Sequence, residues 1–366
     1  MKDERQITAI QSAAILVSTI IGVGVLALPL FAVRAAESGA PLVTAVSVLL
    51  AFVGLAVISL LGMRFPNKSI TQYSEDIIGK WLGRMGSAML IAYFAILSAL
   101  TAREFGEVVI TSVLTRTPLE VTVIVMLLLA ALATRNSVTT FAYIHHFYFP
   151  LLLFPALLIV ALSLKNADGL NLQPMWGNVS WARPQLWGGL LTITALFQGS
   201  FIMTTVIPAM RRPEKALTAS AWGMLIAGGL YVTIVAATVS VFGAEEIKNL
   251  LWPTLELAKG TSLPANVLER LDAAFLAVWV TAVFTTLFSS YFFTIREASK
   301  LFRLGDHKMF SFFLLPTVYV MAMLPRSILH MYEIIQNVGR IGLILTIVYP
   351  LLLWMIALVR RKRGSR

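Results

Sequence analysis

Residues 21–29 of this 366-residue chain read Ile-Gly-Val-Gly-Val-Leu-Ala-Leu-Pro and interrupt its first long apolar run, residues 7–34. Each glycine costs a helix interior about 1 kcal/mol relative to alanine. Pro29 has no N–H, so it leaves the carbonyl of Val25 without a helical partner. An unwound segment inside a membrane is tolerated only where it faces protein or a watery cavity. The stretch therefore predicts a broken membrane helix beside a cavity.

A second interruption lies at residues 197–200, Phe-Gln-Gly-Ser, with Pro208 further along the same apolar run. Either break alone is also explained by close helix packing through small residues, which is common in membranes. The breaks fall in the first and sixth of ten predicted spans, which are corresponding members of two five-span halves. Interrupted segments at matching positions are typical of inverted-repeat transporters.

The composition supports a membrane protein. Hydrophobic residues make up 58% of the chain and charged residues 13%, against about 25% charged in an average soluble protein. The mean hydropathy is +0.82. These values exclude a soluble enzyme, a disordered protein and a nucleic-acid-binding domain. The chain has no cysteine, which excludes disulfides, thiolate metal sites and a cysteine nucleophile.

A single transmembrane domain, residues 1–366, is expected, with one five-helix repeat over 7–164 and another over 184–360. An interfacial helical loop is expected at 243–270 on the outer side, with Trp252 at headgroup depth. Of the 29 lysines and arginines, 19 fall on one side of this arrangement. That bias places both termini in the cytoplasm. The ten spans are predicted at residues 7–34, 42–63, 87–110, 118–134, 140–164, 184–210, 216–242, 271–298, 309–325 and 340–360.

The breaks suggest a chemistry. A half-helix that begins after Val25 presents free N–H groups and a positive dipole end, which suit a carboxylate. Freed carbonyls near Gly22 and around Gln198 suit an ammonium group. A zwitterionic amino acid is the natural small ligand. Tyr93 and Thr285 on the third and eighth spans are expected to close the pocket and Phe197 to form its wall or lid, although each of the three can equally be core packing.

Charged side chains inside a membrane are functional candidates. Arg103, Glu104 and Glu107 lie about 24 to 30 Å along the third helix, and they are expected at the outer vestibule, as a gate, a partner contact or an interfacial ion pair. No carboxylate is expected near either break, and His145 is expected at the interface. Metal ligands at zinc spacing and a nucleophile–base pair are not visible. The sequence predicts no enzyme, no metal and no cofactor.

The sequence also resembles the bacterial spore germination proteins that form the integral-membrane B subunit of nutrient germinant receptors. That family belongs to the amino acid–polyamine–organocation transporter superfamily. The outer-loop stretch is the most specific part of the resemblance, whereas a Gly-x-Gly pair alone is a weak signal. The resembling stretches are residues 21–29, 102–107 (Ala-Arg-Glu-Phe-Gly-Glu), 116–118 (Arg-Thr-Pro), 246–254 (Glu-Ile-Lys-Asn-Leu-Leu-Trp-Pro-Thr), 269–270 (Glu-Arg) and 277–279 (Ala-Val-Trp).

The resemblance implies an all-helical, LeuT-like fold of ten transmembrane helices in two inverted repeats, with helices 1 and 6 broken. It implies that the protein binds a small germinant, often an amino acid, and works with an A subunit and a lipoprotein C subunit in the spore inner membrane. An amino-acid permease or facilitator and a partner-opened conduit are the alternatives. The implied pocket consists of Gly22, Val23, Gly24, Tyr93, Phe197, Gln198, Gly199 and Thr285.

Overall fold

The computed structural model describes residues 6–176, 184–260 and 271–364, and this part of the chain is built from helices. Six helical stretches are long and apolar enough to cross a membrane, and a seventh span is a helix pair bent by 41°. One of the six stretches, Gly24–Arg64, contains half of the first span and all of the second. With the shorter apolar helices, these segments form ten spans, as predicted.

We number the spans in chain order and call the two halves of the first span 1a and 1b. Their bounds are Ala9–Ile20 (1a), Gly24–Ala36 (1b), Ala40–Arg64 (2), Lys80–Ser112 (3), Leu119–Thr134 (4), Val138–Ser163 (5), Pro184–Ala195 with short helical turns to Ala209 (6), Ala216–Ile247 (7), Leu271–Leu301 (8), Lys308–Met323 (9) and Ile328–Leu343 continued by Tyr349–Val359 (10). The repeat boundaries at 7–164 and 184–360 stay a prediction.

The described residues nearest the two ends, Gln6 and Gly364, lie on one side of the bundle, which we call the terminal side. Span 1a begins with a capping box in which Thr8 and Gln11 satisfy each other's backbone N–H groups. Just before it, Ile7 pairs with the end of span 6, where its carbonyl accepts a bond from the N–H of Arg211 at 2.9 Å. This pairing joins the start of one broken span to the end of the other.

Two short helices cover the ends of the bundle. On the terminal side, Ile70–Ile78 starts with a capping box at Ser69 and buries one face. On the opposite side, Pro253–Lys259 packs against spans 1b, 5, 7 and 8 and buries most of its residues. This second helix covers the protein rather than lying free beside it. The interfacial position expected for 243–270 stays a prediction, and residues 261–270 lie outside the described part.

Candidate functional site

The break in span 1 is confirmed, and the half-helix after it begins earlier than the sequence suggested. Span 1a ends at Ile20, Ile21 has an extended backbone (ψ 96°), and span 1b starts at Gly24 rather than after Val25. The N–H groups of Val23 and Gly24 donate none of the hydrogen bonds found among the described residues. They are therefore unsatisfied donors at the positive end of a thirteen-residue helix.

Three carbonyls at the end of span 1a accept hydrogen bonds from side-chain hydroxyls. The hydroxyl groups of Thr285 and Thr286 donate to the carbonyls of Ser18 and Thr19 at 2.8 and 2.9 Å. Tyr231 donates to the carbonyl of Ile20 at 2.6 Å. These three carbonyls are therefore already satisfied by hydroxyls of spans 7 and 8, and the expectation that carbonyls near Gly22 and around Gln198 hold an ammonium group stays a prediction.

The carbonyl that Pro29 frees is also satisfied. Thr254, in the opposite-side connection, donates its hydroxyl to the carbonyl of Val25 at 2.7 Å. The sequence identified this carbonyl, and the tertiary structure supplies its partner from a segment more than two hundred residues away.

Glycine allows the two breaks and span 8 to approach closely. A Cβ atom at Gly22 would lie 2.0 Å from Oγ1 of Thr286, and one at Gly199 would lie 2.9 Å from Cγ2 of Thr19. Both explanations considered for the glycines therefore apply, since they accompany a break and also permit tight packing.

Gln198, in the break of span 6, joins three spans. Its Nε2 donates to the carbonyl of Gly339 on span 10 at 2.7 Å, and its Oε1 accepts a hydrogen bond from the Tyr93 hydroxyl on span 3. Both polar atoms of the amide are thus used within the protein. Tyr93 stands behind Gln198, where it packs against Gly342.

A cavity of about 80 Å³ lies between the two breaks. A water-sized group needs roughly 10 to 15 Å³ on this measure, so the cavity holds a small molecule of about five to eight such groups. The wall residues are Thr19, Ile20, Val23, Gly24 and Phe31 of span 1, Leu97, Leu100, Thr101 and Glu104 of span 3, Thr192, Ala195, Leu196, Gln198 and Gly199 of span 6, Thr286 and Ser290 of span 8, and Tyr332, Ile335 and Gly339 of span 10.

The structure divides the expected pocket residues into two groups. Val23, Gly24, Gln198 and Gly199 line the cavity, whereas Gly22, Tyr93, Phe197 and Thr285 stand around it. The Phe197 ring packs on the ring of Tyr231, with their centroids 5.1 Å apart. Thr286, one residue after Thr285, reaches the cavity instead.

The three charged residues of span 3 have different surroundings in the structure. Arg103 pairs with Glu107 at 2.8 Å, and both side chains are largely buried. Glu104 lines the cavity and is only 3% exposed. Arg103 directly precedes Glu104 and so points about 100° away around the helix, and neither Arg103 nor Glu107 lines the cavity. The expectation that no carboxylate lies near the breaks is therefore wrong, whereas the outer position expected for Glu104 stays a prediction.

A chain of hydrogen bonds holds Glu104 from the opposite side. Trp252 donates its indole N–H to the Tyr332 hydroxyl at 2.8 Å, and Tyr332 donates to Oε1 of Glu104 at 3.1 Å. The sequence stretch around Trp252 and Thr254 is thus linked to the cavity carboxylate through Tyr332 and bonds directly to the start of span 1b. Tyr332 was not predicted, because nothing in its local sequence distinguishes it.

His145 is fully buried between spans 1, 5 and 8, so its expected place at the interface is wrong. Its Nδ1 lies 2.9 Å from the carbonyl of Phe141, and its Nε2 lies 2.9 Å from Oγ of Ser289. Ser289 in turn lies 2.6 Å from the hydroxyl of Thr19, which lines the cavity. A polar chain therefore runs from this imidazole to the cavity wall.

A buried carboxylate connects several elements on the terminal side. Glu297 of span 8 accepts hydrogen bonds from Ser69 at 2.7 Å, from Thr71 at 2.6 Å and from Thr205 at 3.1 Å. Lys300 adds an ion pair at 2.8 Å. The cluster joins the short helix at 70–78 to span 6.

The described residues contain no group of three or more His, Cys, Asp or Glu side chains that could hold a metal ion.

The family described as spore germination protein matches residues 6–331 of the chain. The chain belongs to this family. It is 25% identical to spore germination protein YndE of Bacillus subtilis (strain 168) over 362 residues, which cover 99% of this chain and 98% of that protein. Spore germination protein B2 of the same organism is 25% identical over 378 aligned positions, covering 99% and 98%. The resemblance seen in the sequence is confirmed.

Solved structures show the same fold. Mhp1, a nucleobase-cation-symport-1 family transporter in a closed conformation with bromovinylhydantoin bound, superimposes with a TM-score of 0.72 at 16% identity, covering 99% of this chain and 80% of that one. A Na⁺-coupled sialic acid symporter gives a TM-score of 0.69 at 12% identity, covering 93% and 78%. The predicted inverted-repeat fold with broken spans 1 and 6 is confirmed, and the protein is a multi-pass membrane protein.

Proposed function

We propose that this protein is the membrane subunit of a spore nutrient germinant receptor and that it binds a small germinant, an amino acid, in the cavity between spans 1 and 6. One observation carries the proposal: a cavity of amino-acid size lies where two broken helices meet, with the unsatisfied N–H groups of Val23 and Gly24 in its wall. Family membership supports the role in germination.

The proposal includes the setting of the protein. We place it in the spore inner membrane with both termini in the cytoplasm, in a complex with an A subunit and a lipoprotein C subunit. The names of the similar proteins, which are germination proteins of Bacillus, support this assembly.

Signalling by such a subunit requires two arrangements of the spans that bind the ligand differently. A shift from 1:99 to 99:1 needs about 5.5 kcal/mol of differential affinity, which is demanding for one small ligand. We expect two sets of contacts to differ between these arrangements. They are the Glu297 cluster on the terminal side and the contacts of Trp252 and Thr254 on the opposite side. Coupling between several receptor copies would lower the differential affinity that each site must supply.

A permease of the same fold is the second candidate, and Glu104 and His145 favour it. The first lies in the cavity wall and the second is linked to that wall through Ser289. Ionisable groups within a membrane span often carry coupling protons. A gradient-driven carrier is therefore better supported by the structure than by the sequence.

The test is to reconstitute the protein in liposomes and to measure binding and uptake of labelled L-alanine and a small amino-acid panel together. Saturable binding without accumulation supports a receptor, whereas accumulation that follows a proton or sodium gradient makes the protein a permease. Ion flux without any ligand supports the conduit.

The matched variants are Gly24→Leu and Gly229→Leu. A Cβ atom at Gly24 lies 3.0 Å from Leu196, so a larger side chain there enters the cavity, whereas Gly229 has no atom within 4 Å. Gly24→Leu should lose binding and Gly229→Leu should keep it. Normal binding by a folded Gly24→Leu protein contradicts the proposed site.

A further inference from the structure

The cavity carries opposite charges on its walls. Glu104 on span 3 contributes a carboxylate, and the N-terminus of span 1b contributes unsatisfied N–H groups and a positive dipole end. The remaining wall combines uncharged polar side chains with apolar ones, among them Phe31, Leu97 and Ile335. A site of this kind complements a small molecule that has a positive group at one end and a negative group at the other.

The other groups near Glu104 do not balance its charge. Tyr332 donates one hydrogen bond, from a neutral hydroxyl, and only to Oε1. Arg103, the preceding residue, is paired with Glu107 and also directs its Nη1 to the carbonyl of Ala322. Arg340 on span 10 donates to Thr192 and Gln336. Among the described residues, no ion pair includes Glu104.

An unpaired charge buried within a membrane protein is costly, and it is retained where a ligand or a proton pathway uses it. The hydroxyls of Thr285, Thr286 and Tyr231 already occupy three carbonyls at the end of span 1a, and a carbonyl carries only a partial negative charge. The carboxylate of Glu104 is therefore the acceptor in the cavity wall best suited to a cation.

We propose that Glu104 binds the ammonium group of the ligand, while the N–H groups at the start of span 1b bind its carboxylate. This inference rests on the proposed function of the cavity and deepens it. The site selects small α-amino acids against isosteric acids that lack the amine, so Glu104 determines specificity. Tyr332, itself held by Trp252, positions the carboxylate by holding Oε1 and leaving Oε2 for the ligand.

The test compares each amino acid with the hydroxy acid of the same shape. Binding of L-alanine, glycine and L-valine to the purified full chain in nanodiscs is measured against L-lactate, glycolate and L-2-hydroxyisovalerate. Removing one partner of a buried charge pair weakens binding by roughly 30-fold or more. The native protein should therefore prefer the amino acid by at least about that factor.

Variants of Glu104 test whether this residue is the source of the preference for amino acids. Glu104→Gln should weaken amino-acid binding by a similar factor and bring the ratio of amino-acid to hydroxy-acid affinity close to one. Glu104→Asp keeps the charge and should keep most of the preference. Glu120→Gln is the control, because Glu120 lies exposed in the first turn of span 4 and does not line the cavity. It should leave the ratio unchanged.

The possible failures are distinguishable. If the native protein binds no member of either series, the proposed function is wrong, and this inference falls with it. If the native protein binds amino and hydroxy acids equally, or if folded Glu104→Gln keeps the native ratio, this inference alone is wrong. Unchanged binding with loss of proton-driven uptake in Glu104→Gln would make the carboxylate a proton carrier and would also overturn it. The native ratio needs no variant, so the test stands even if Glu104→Gln fails to fold.

Discussion

A methyl group at Gly22 tests how tightly the span 1 break is held. The Cβ atom of Gly22→Ala would lie 2.0 Å from Oγ1 of Thr286 and 2.7 Å from its Cβ, well inside contact distance. Thr286 cannot rotate away freely, because Oγ1 donates to the carbonyl of Thr19 at 2.9 Å. Span 8 must therefore shift, or the hydrogen bond must break.

The expected loss of stability has two contributions, overpacking and a lost hydrogen bond. Overpacking a core typically costs 1–3 kcal/mol, and a lost buried hydrogen bond adds about 0.5–1.5 kcal/mol. We expect Gly22→Ala to lower the free energy of unfolding by about 2 to 4 kcal/mol. Thr286→Ala removes the closest atom, so the double variant should be less unstable than the sum of the single variants by at least about 1 kcal/mol.

The assay is denaturant unfolding in mixed micelles, monitored by tryptophan fluorescence. It compares the native protein, the two single variants and the double variant. Gly229→Ala is the control, because an added Cβ there meets no atom within 4 Å, and it should change stability by less than about 0.5 kcal/mol. A Gly22→Ala protein as stable as the control would refute the close approach of span 8 to the break.

Three further predictions address other parts of the structure. Thr254→Val removes the hydroxyl that satisfies the Val25 carbonyl and should lower the free energy of unfolding by about 1–3 kcal/mol in the same assay; no change would contradict the bond. Glu297 bonds both the short helix at 70–78 and span 6, so Glu297→Gln should open the terminal side. A reporter cysteine introduced by Val206→Cys, in a chain that otherwise has no cysteine, should then react severalfold faster with a maleimide. An unchanged labelling rate would contradict this role of Glu297. Burial, with Glu297 nearby, raises the pKa of Tyr73 well above its usual value, so its contribution to stability is intact below about pH 10 and is lost as the pH rises further. Tyr73→Phe should therefore lose less stability than the native protein between pH 8 and pH 11, and parallel losses would exclude this contribution.

The connection after span 7 links the two sides of the site. Trp252 reaches Glu104 through Tyr332, and Thr254 reaches span 1b through the carbonyl of Val25. A ligand that engages the free side of Glu104 therefore acts on a residue held by this connection. The stretch that was most specific in the resemblance is also the one that contacts both halves of the site.

Much of the fold could be predicted from the sequence, because its signals are local. The number of spans follows from the length and apolar character of consecutive residues. The two breaks follow from glycine and proline, whose effects on a helix act within one turn of their own positions. The match between the two breaks then pointed to the inverted repeat, which the structure confirms.

The composition of the cavity wall could not be predicted in the same way. Depth along span 3 placed Glu104 at the outer end, and only the rotation of that helix against spans 1 and 10 turns it into the cavity. Burial of His145 depends in the same way on spans 1 and 8, which supply its polar neighbours. The sequence by itself determined where the helices cross and break. Only the tertiary structure decided which side chains meet, because helix rotation and the partners of buried polar groups are set by distant segments packing together.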